Sequence, residues 1–154
     1  MNWTTLNFGK HEGKTFPQIL CTDPDWFFWA MDNDVFNDKG MLLDEAKNIN
    51  RKAKNIKIPN NSDGNLVVEY VIHQPTGKFG DFEIIPKSRP QHKGSSPTFR
   101  SAYIDMSVPR KIASYDKLGC KTLLRSLKYY VFNNVARLTK KRCEDFFSDD
   151  NNFA

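Results

Sequence analysis

Lysine and arginine recur in long stretches of this chain that contain no acidic residue. Residues 46–62 hold five basic residues, residues 84–104 hold four and residues 117–143 hold eight, all without a carboxylate side chain. Such stretches suit a nucleic-acid backbone, because a nearby carboxylate would repel the phosphates. A helix face that is simply solvated has the same composition and is the alternative interpretation.

The last two stretches supply the predicted phosphate contacts. The residues after 116 follow a helical period, and basic residues spaced by three and four positions share one side of a helix. Nearby aromatic side chains could stack on unpaired bases, although such residues more often belong to a core. The predicted contacts are Lys87, Arg89 and Lys93 on a loop and Lys121, Arg125 and Lys128 on a helix.

The charge is distributed unevenly along the 154 residues. Residues 1–45 contain three basic and eight acidic side chains, a net charge of −5, whereas the remainder contains 20 basic and 10 acidic side chains, a net charge of +10. A basic body behind an acidic front favours a polyanionic partner for the body. The front is expected to contribute less to such binding.

Two catalytic patterns are incomplete in this sequence. Asp81, Glu83 and Glu69 on predicted strands, with Lys87 beyond them, are the residue types that hold Mg²⁺ in nucleases. However, three residues separate Glu83 from the lysine where such sites usually keep one. The segment from Gly9 to Thr15 lacks the spacing of a phosphate-binding loop, which needs four residues before its second glycine.

Metal and cofactor sites are not predicted either. Cys21, Cys120 and Cys143 form no pair at metal-ligand or redox spacing and are expected to be small buried residues. The three histidines lie far apart in the sequence. The sequence therefore shows no catalytic centre, and we expect no cofactor.

Glycine, lysine and aromatic residues near the front form a specific pattern. A Phe-Gly-Lys triplet is followed by Gly-Lys-Thr after two residues, and an Asp-Pro-Asp-aromatic segment with a further tryptophan comes next. The pattern resembles the small C-terminal module of exodeoxyribonuclease X and its stand-alone relatives in bacteria and phages, over about Leu6 to Asn33. The residues that carry the resemblance are Phe8, Gly9, Lys10, Gly13, Lys14, Asp25, Trp26 and Trp29.

The resemblance implies an accessory module that works beside nucleic-acid enzymes, without the nuclease site itself. It leaves Lys10 and Lys14 as an auxiliary patch for phosphates. The alternative is that these residues only build a turn, because Gly9 and Gly13 permit one and Phe8 and Trp29 could seal a small core.

The last residues are acidic and aromatic. Asp149, Asp150 and Phe153 resemble the tails of phage and bacterial single-strand-binding proteins, which compete with nucleic acid and dock partner proteins. A solubilising tail is the alternative. In either case we expect a loosely held segment.

Hydrophobic periodicity and turn residues predict the elements that position these residues. A hairpin is expected near residues 6–16, and Pro24 after a capping aspartate predicts a helix over Asp25 to Asn33. A second helix is expected over Gly40 to Asn55, before a turn-rich segment at 59–64. Strands are expected at 66–73, 79–85 and 99–107, and a helix with one possible break at Tyr115 to Phe147.

These elements predict an α+β fold: an N-terminal hairpin with two helices, then a three-stranded antiparallel sheet packed on long C-terminal helices. The predicted organisation is a front module at residues 1–58, a basic domain at 65–147 and an acidic tail at 148–154. The chain shows neither an apolar run of roughly 18 residues nor the start of a signal peptide, so we expect a cytoplasmic protein that does not enter membranes.

The sequence predicts an accessory protein of phage or bacterial DNA metabolism that binds nucleic acid, with DNA favoured over RNA. The alternative is a small phage-type interaction protein that inhibits a host nucleic-acid-processing or defence enzyme through protein contacts. Strandedness and oligomeric state stay open at this point.

Overall fold

The computed structural model describes residues 2–90, 96–114 and 116–154. These residues form six α-helices, three strands and one short 3₁₀ turn. The elements are α1 Phe16–Leu20, α2 Pro24–Asp32, α3 Met41–Ala53, β1 Leu66–His73, β2 Lys78–Pro86, β3 Thr98–Ser101, α4 Val108–Ile112, α5 Lys117–Tyr130, α6 Lys140–Ser148 and the 3₁₀ turn Asp150–Asn152. The α+β fold class predicted from the sequence is confirmed.

The front of the chain is a closed loop followed by three helices. The amide of Gly13 donates to the Leu6 carbonyl over 2.7 Å, and the Leu6 amide donates to the Lys14 carbonyl over 2.9 Å. These bonds close residues 6–14 as a hairpin would, but no strand forms there. The predicted helix after Asp23 is confirmed, with the Asp23 side chain accepting from the Trp26 amide.

The sheet is antiparallel with the order β2-β1-β3, so the predicted hairpin of the first two strands is confirmed. Tyr70 on the central strand lies opposite Phe82 on β2 and Phe99 on β3. The third strand is shorter than predicted, because the chain turns away after Ser101. Ile104 instead forms an isolated antiparallel bridge with Ile56.

The possible break predicted in the C-terminal helix is present and separates α5 from α6. Asn133 and Asn134 between them have positive φ angles of 55° and 53°, which a continuing right-handed helix cannot contain. Thr139 then caps α6 by accepting a hydrogen bond from the Arg142 amide. Because of this break, α6 packs against α1 at the front of the chain.

The acidic C-terminal segment is docked, so the prediction of a loosely held tail was wrong. Phe153 is only 5% exposed and stacks on Phe147 with ring centroids 5.5 Å apart. The Ala154 amide donates to the Asn55 carbonyl over 2.9 Å. The near-terminal aromatic ring buries too much apolar surface to stay in solvent.

Buried side chains from both sides of the 59–64 segment meet in one hydrophobic cluster. Its members include Leu20 and Ile49 from the front, Val68 from the sheet, and Leu127 and Phe147 from the last helices. The front module and the basic segment therefore share a core. Among the helices that the structure describes, none is long and apolar enough to cross a membrane.

Candidate nucleic-acid interface

A depression of about 560 Å³ opens between the N-terminal loop, α2 and α5. The loop contributes Lys10, His11 and Lys14, α2 contributes Trp26 and Trp29 with the preceding turn, and α5 contributes its first two turns. We call this depression the tryptophan pocket. Its lining residues are Lys10, His11, Lys14, Thr22, Asp23, Asp25, Trp26, Trp29, Lys117, Cys120 and Lys121.

The two glycines of the loop explain how its lysines reach the pocket. Gly9 and Gly13 have φ angles of +76° and +84°, in the left-handed region that residues other than glycine rarely adopt. The tight turn they permit brings Lys10 and Lys14 to the same depression.

His11 connects the loop to α2 from a buried position. Its Nε2 lies 2.9 Å from the Asp23 Oδ2, and its Nδ1 lies 3.5 Å from the Lys14 Nζ. Since the lysine has only protons to offer, this geometry suits a ring that donates from Nε2 to the carboxylate and accepts at Nδ1. The edge of the ring also contacts Trp26, with centroids 5.0 Å apart.

Asp23 is the carboxylate that accepts the hydrogen bonds of this network. Partial burial on its own would raise the pKa of Asp23, but the hydrogen bonds from His11 and Lys10 outweigh it and hold that pKa below its ordinary value. Asp23 is therefore ionised at neutral pH, and its charge is compensated by Lys10 at 3.2 Å.

A shallower depression of about 430 Å³ continues from the pocket along α5, and Lys121 lines both. Arg125 and Lys128 follow on the same helix, and Arg137 approaches from the segment after it. We call the two depressions together the basic groove. Its cations are Lys10, Lys14, Lys117, Lys121, Arg125, Lys128 and Arg137.

Most cations of the basic groove have no carboxylate partner. Across residues 2–90, 96–114 and 116–154, Lys10 is the one member of the set that forms an ion pair, with Asp23. The pocket's second carboxylate, Asp25, lies 3.3 Å from the guanidinium of Arg110, which is outside the groove. The groove consequently presents uncompensated positive charge to solvent.

The predicted contacts separate into two surfaces. Lys10, Lys14 and Lys121 meet at the tryptophan pocket, and Arg125 and Lys128 extend it. Lys87 instead lines a different depression of about 650 Å³, together with Lys57, Arg100 and Tyr103. Arg89 is exposed beside it, with its carbonyl accepting from Arg100, and Lys93 lies outside the described residues.

Sequence reasoning did not assign Lys117, Arg137 or His11 to the interface. Lys117 could have been assigned from residue spacing, because it begins the same helical stripe as Lys121. Arg137 reaches the groove only because the chain turns back at Asn133 and Asn134, and the possible break in the predicted helix does not specify the direction of that turn. His11 is buried within a loop of seven mostly exposed residues, which local composition does not reveal.

The carboxylates of the sheet do not form a metal centre in the part of the chain that the structure describes. Glu69 lies opposite Glu83 in the strand register. Its Oε2, however, accepts a 2.8 Å hydrogen bond from the Nε of Arg100. The buried Glu69 charge is thus paired with a guanidinium.

The three cysteines are buried, as predicted, and none forms a disulfide in the structure. A hydrogen bond to Cys143, together with burial, raises the pKa of Cys21 well above its ordinary value. Cys120 lies at the tryptophan pocket, where burial and then the charge of Asp25 raise its pKa to about 12. Because the thiolate is the reactive form, neither thiol is a nucleophile at neutral pH.

We expect Cys21 and Cys120 to resist alkylation by iodoacetamide at pH 8 in the native protein and to react once urea unfolds it. Folding raises both pKa values, so the unfolded thiols lose their protons at a lower pH than the folded ones. The stability that the protonated thiols contribute is therefore complete below the ordinary thiol pKa of 9.0 and is lost as the pH rises through the folded values. The free energy of unfolding should therefore fall above pH 9, by less in Cys120→Ala. Mass spectrometry of the alkylated protein checks the first expectation, and stoichiometric native labelling of either thiol would contradict it.

The comparisons with known proteins add no relative. No protein-family model matches the chain. Searches of curated proteins and of solved structures gave no significant match. The resemblance of residues 6–33 to the exodeoxyribonuclease X module stays a prediction.

Proposed function

We propose that this protein binds nucleic acid through the basic groove, in an accessory role beside the enzymes of phage or bacterial DNA metabolism. The observation that carries the proposal is the convergence of seven cations from three separate segments on two adjoining depressions, with a single ion pair among them in the described chain. Cations that only solubilise a surface have no reason to converge on one groove.

Counterion release supplies the affinity in this proposal. A phosphate backbone that lies along α5 exchanges its condensed counterions for lysine and arginine side chains, and each exchange favours binding at low salt. Residues 117–143 contain no carboxylate that would oppose it. Lys87 lines a separate depression and Arg89 is exposed beside it, so this basic loop is assigned to a secondary contact.

A polarisation assay with a fluorescent oligonucleotide tests the proposal. We expect binding that weakens about a hundredfold between 50 and 200 mM salt, because about five phosphate contacts to a single strand give a logarithmic slope near −3.5. Unlabelled DNA and RNA of one sequence then compete for the site, and DNA should compete at least as well.

The opposite result identifies the alternative function. A protein that binds no DNA or RNA at 50 mM salt, and that co-purifies with a host nucleic-acid enzyme, is an interaction protein whose groove meets an acidic protein surface. That outcome would contradict the proposed function.

A further inference from the structure

We infer that the tryptophan pocket holds one unpaired nucleotide, with its base against Trp29 and its phosphate among Lys14, Lys117 and Lys121, so that the basic groove selects single strands over duplex. This inference rests on the proposed function and assigns the strandedness that the sequence left open. It concerns the pocket at one end of the groove.

The aromatic wall of the pocket packs against other rings on one side and is exposed to solvent on the other. Trp29 is 42% exposed, although it lies in the middle of α2. Trp26 is adjacent, with ring centroids 6.5 Å apart, and is fixed in turn by His11 and Phe36. An indole that rests on a packed ring and faces solvent is a platform for stacking, which every base can use.

The polar wall is suited to a phosphate. Lys14, Lys117 and Lys121 line the pocket, and no carboxylate of the described chain is within ion-pair distance of these three lysines. The two carboxylates of the pocket are occupied, Asp23 by His11 and Lys10 and Asp25 by Arg110.

The pocket has the size and the open indole face that suit an unpaired nucleotide. Its volume of about 560 Å³ is in the range of sites for single small molecules, roughly 300–1,000 Å³. A base inside a duplex has both faces covered by its neighbours, so it must leave the stack before an indole can contact it. The remaining strand would continue past Lys121 to Arg125 and Lys128.

Trp29→Ala and Trp29→Phe test the inference. Affinities for an unlabelled thymidine oligonucleotide and for a duplex of equal length are measured by competition, and tryptophan fluorescence is followed during the single-strand titration. We expect the native protein to prefer the single strand about tenfold or more and to show quenching. Trp29→Ala should lose about tenfold in single-strand affinity with duplex affinity unchanged, because one stacked base contributes about that much.

Two controls keep the test specific. Trp29→Phe retains an aromatic face and should keep most of the affinity while most of the quenching disappears. Phe99→Ala removes an aromatic side chain of nearly equal exposure, 40%, from β3, outside both the basic groove and the depression that contains Lys87, and should leave single-strand affinity unchanged. Because Trp29 is exposed, its replacement should not unfold the protein, and circular dichroism checks this.

The outcomes separate this inference from the proposed function. Duplex preference in the native protein, or unchanged single-strand affinity in Trp29→Ala, overturns the nucleotide pocket and leaves salt-dependent binding by the groove intact. Absence of binding in the native protein at low salt overturns both.

Discussion

Simultaneous replacement of Lys121, Arg125 and Lys128 by alanine is expected to weaken single-strand binding about a hundredfold at 0.1 M salt. The physical reason is the loss of three counterion-releasing contacts, each of which contributes about 0.7 to the logarithmic salt dependence. The slope of affinity against salt should therefore fall by about 2. Polarisation titrations at four salt concentrations measure both quantities.

A charge-matched variant provides the control for this experiment. Lys39, Lys47 and Lys78 are exposed, have no ion pair within the described residues and line neither the basic groove nor the depression that contains Lys87. Their triple replacement by alanine removes the same net charge and should change affinity by less than about threefold. Equal losses in the two variants would show that general charge, rather than the groove, determines binding.

Replacement of Phe153 by alanine is expected to lower the free energy of unfolding by about 3 kcal/mol or more. The ring is 5% exposed, stacks on Phe147 and meets the edge of Phe146 at a centroid distance of 5.2 Å. Its removal leaves a cavity between α6 and the end of α3. Urea unfolding followed by circular dichroism measures the change.

Asn151→Ala is the matched control for the docked segment. Asn151 is exposed on the same 3₁₀ turn, so its replacement should change the free energy of unfolding by no more than about 0.5 kcal/mol. If the tail were loosely held, Phe153→Ala would change the free energy of unfolding equally little, and that result would contradict the docked arrangement.

Lys52 shows why this segment is held so firmly. Its ammonium group is buried, with the side chain 3% exposed, and donates to the Phe147 carbonyl over 2.8 Å. Asp150 of the 3₁₀ turn lies 2.8 Å from the same nitrogen. A buried ammonium needs such partners, because desolvation without them is costly. The acidic residue therefore neutralises a lysine of α3 and not a cation of the basic groove.

Local patterns were sufficient for the elements that depend on neighbours in the sequence. The capping aspartate with Pro24 predicted α2, and the alternation of residues 66–73 predicted β1 with its hairpin partner. Prediction was poorer where long-range contacts compete with local preference. The third strand ends at Ser101 because Ile104 pairs with Ile56, about fifty residues earlier.

In the candidate site, too, some features follow from local sequence and others only from long-range packing. That Lys117, Lys121, Arg125 and Lys128 share one side of a helix follows from residue spacing alone, because the helical period is local. That Lys10, Lys14 and the exposed Trp29 face the beginning of that helix is determined by packing between segments about a hundred residues apart. Spacing along the chain carries no information on that approach, whereas the shared hydrophobic core that brings the front and α5 together exists only in the folded protein.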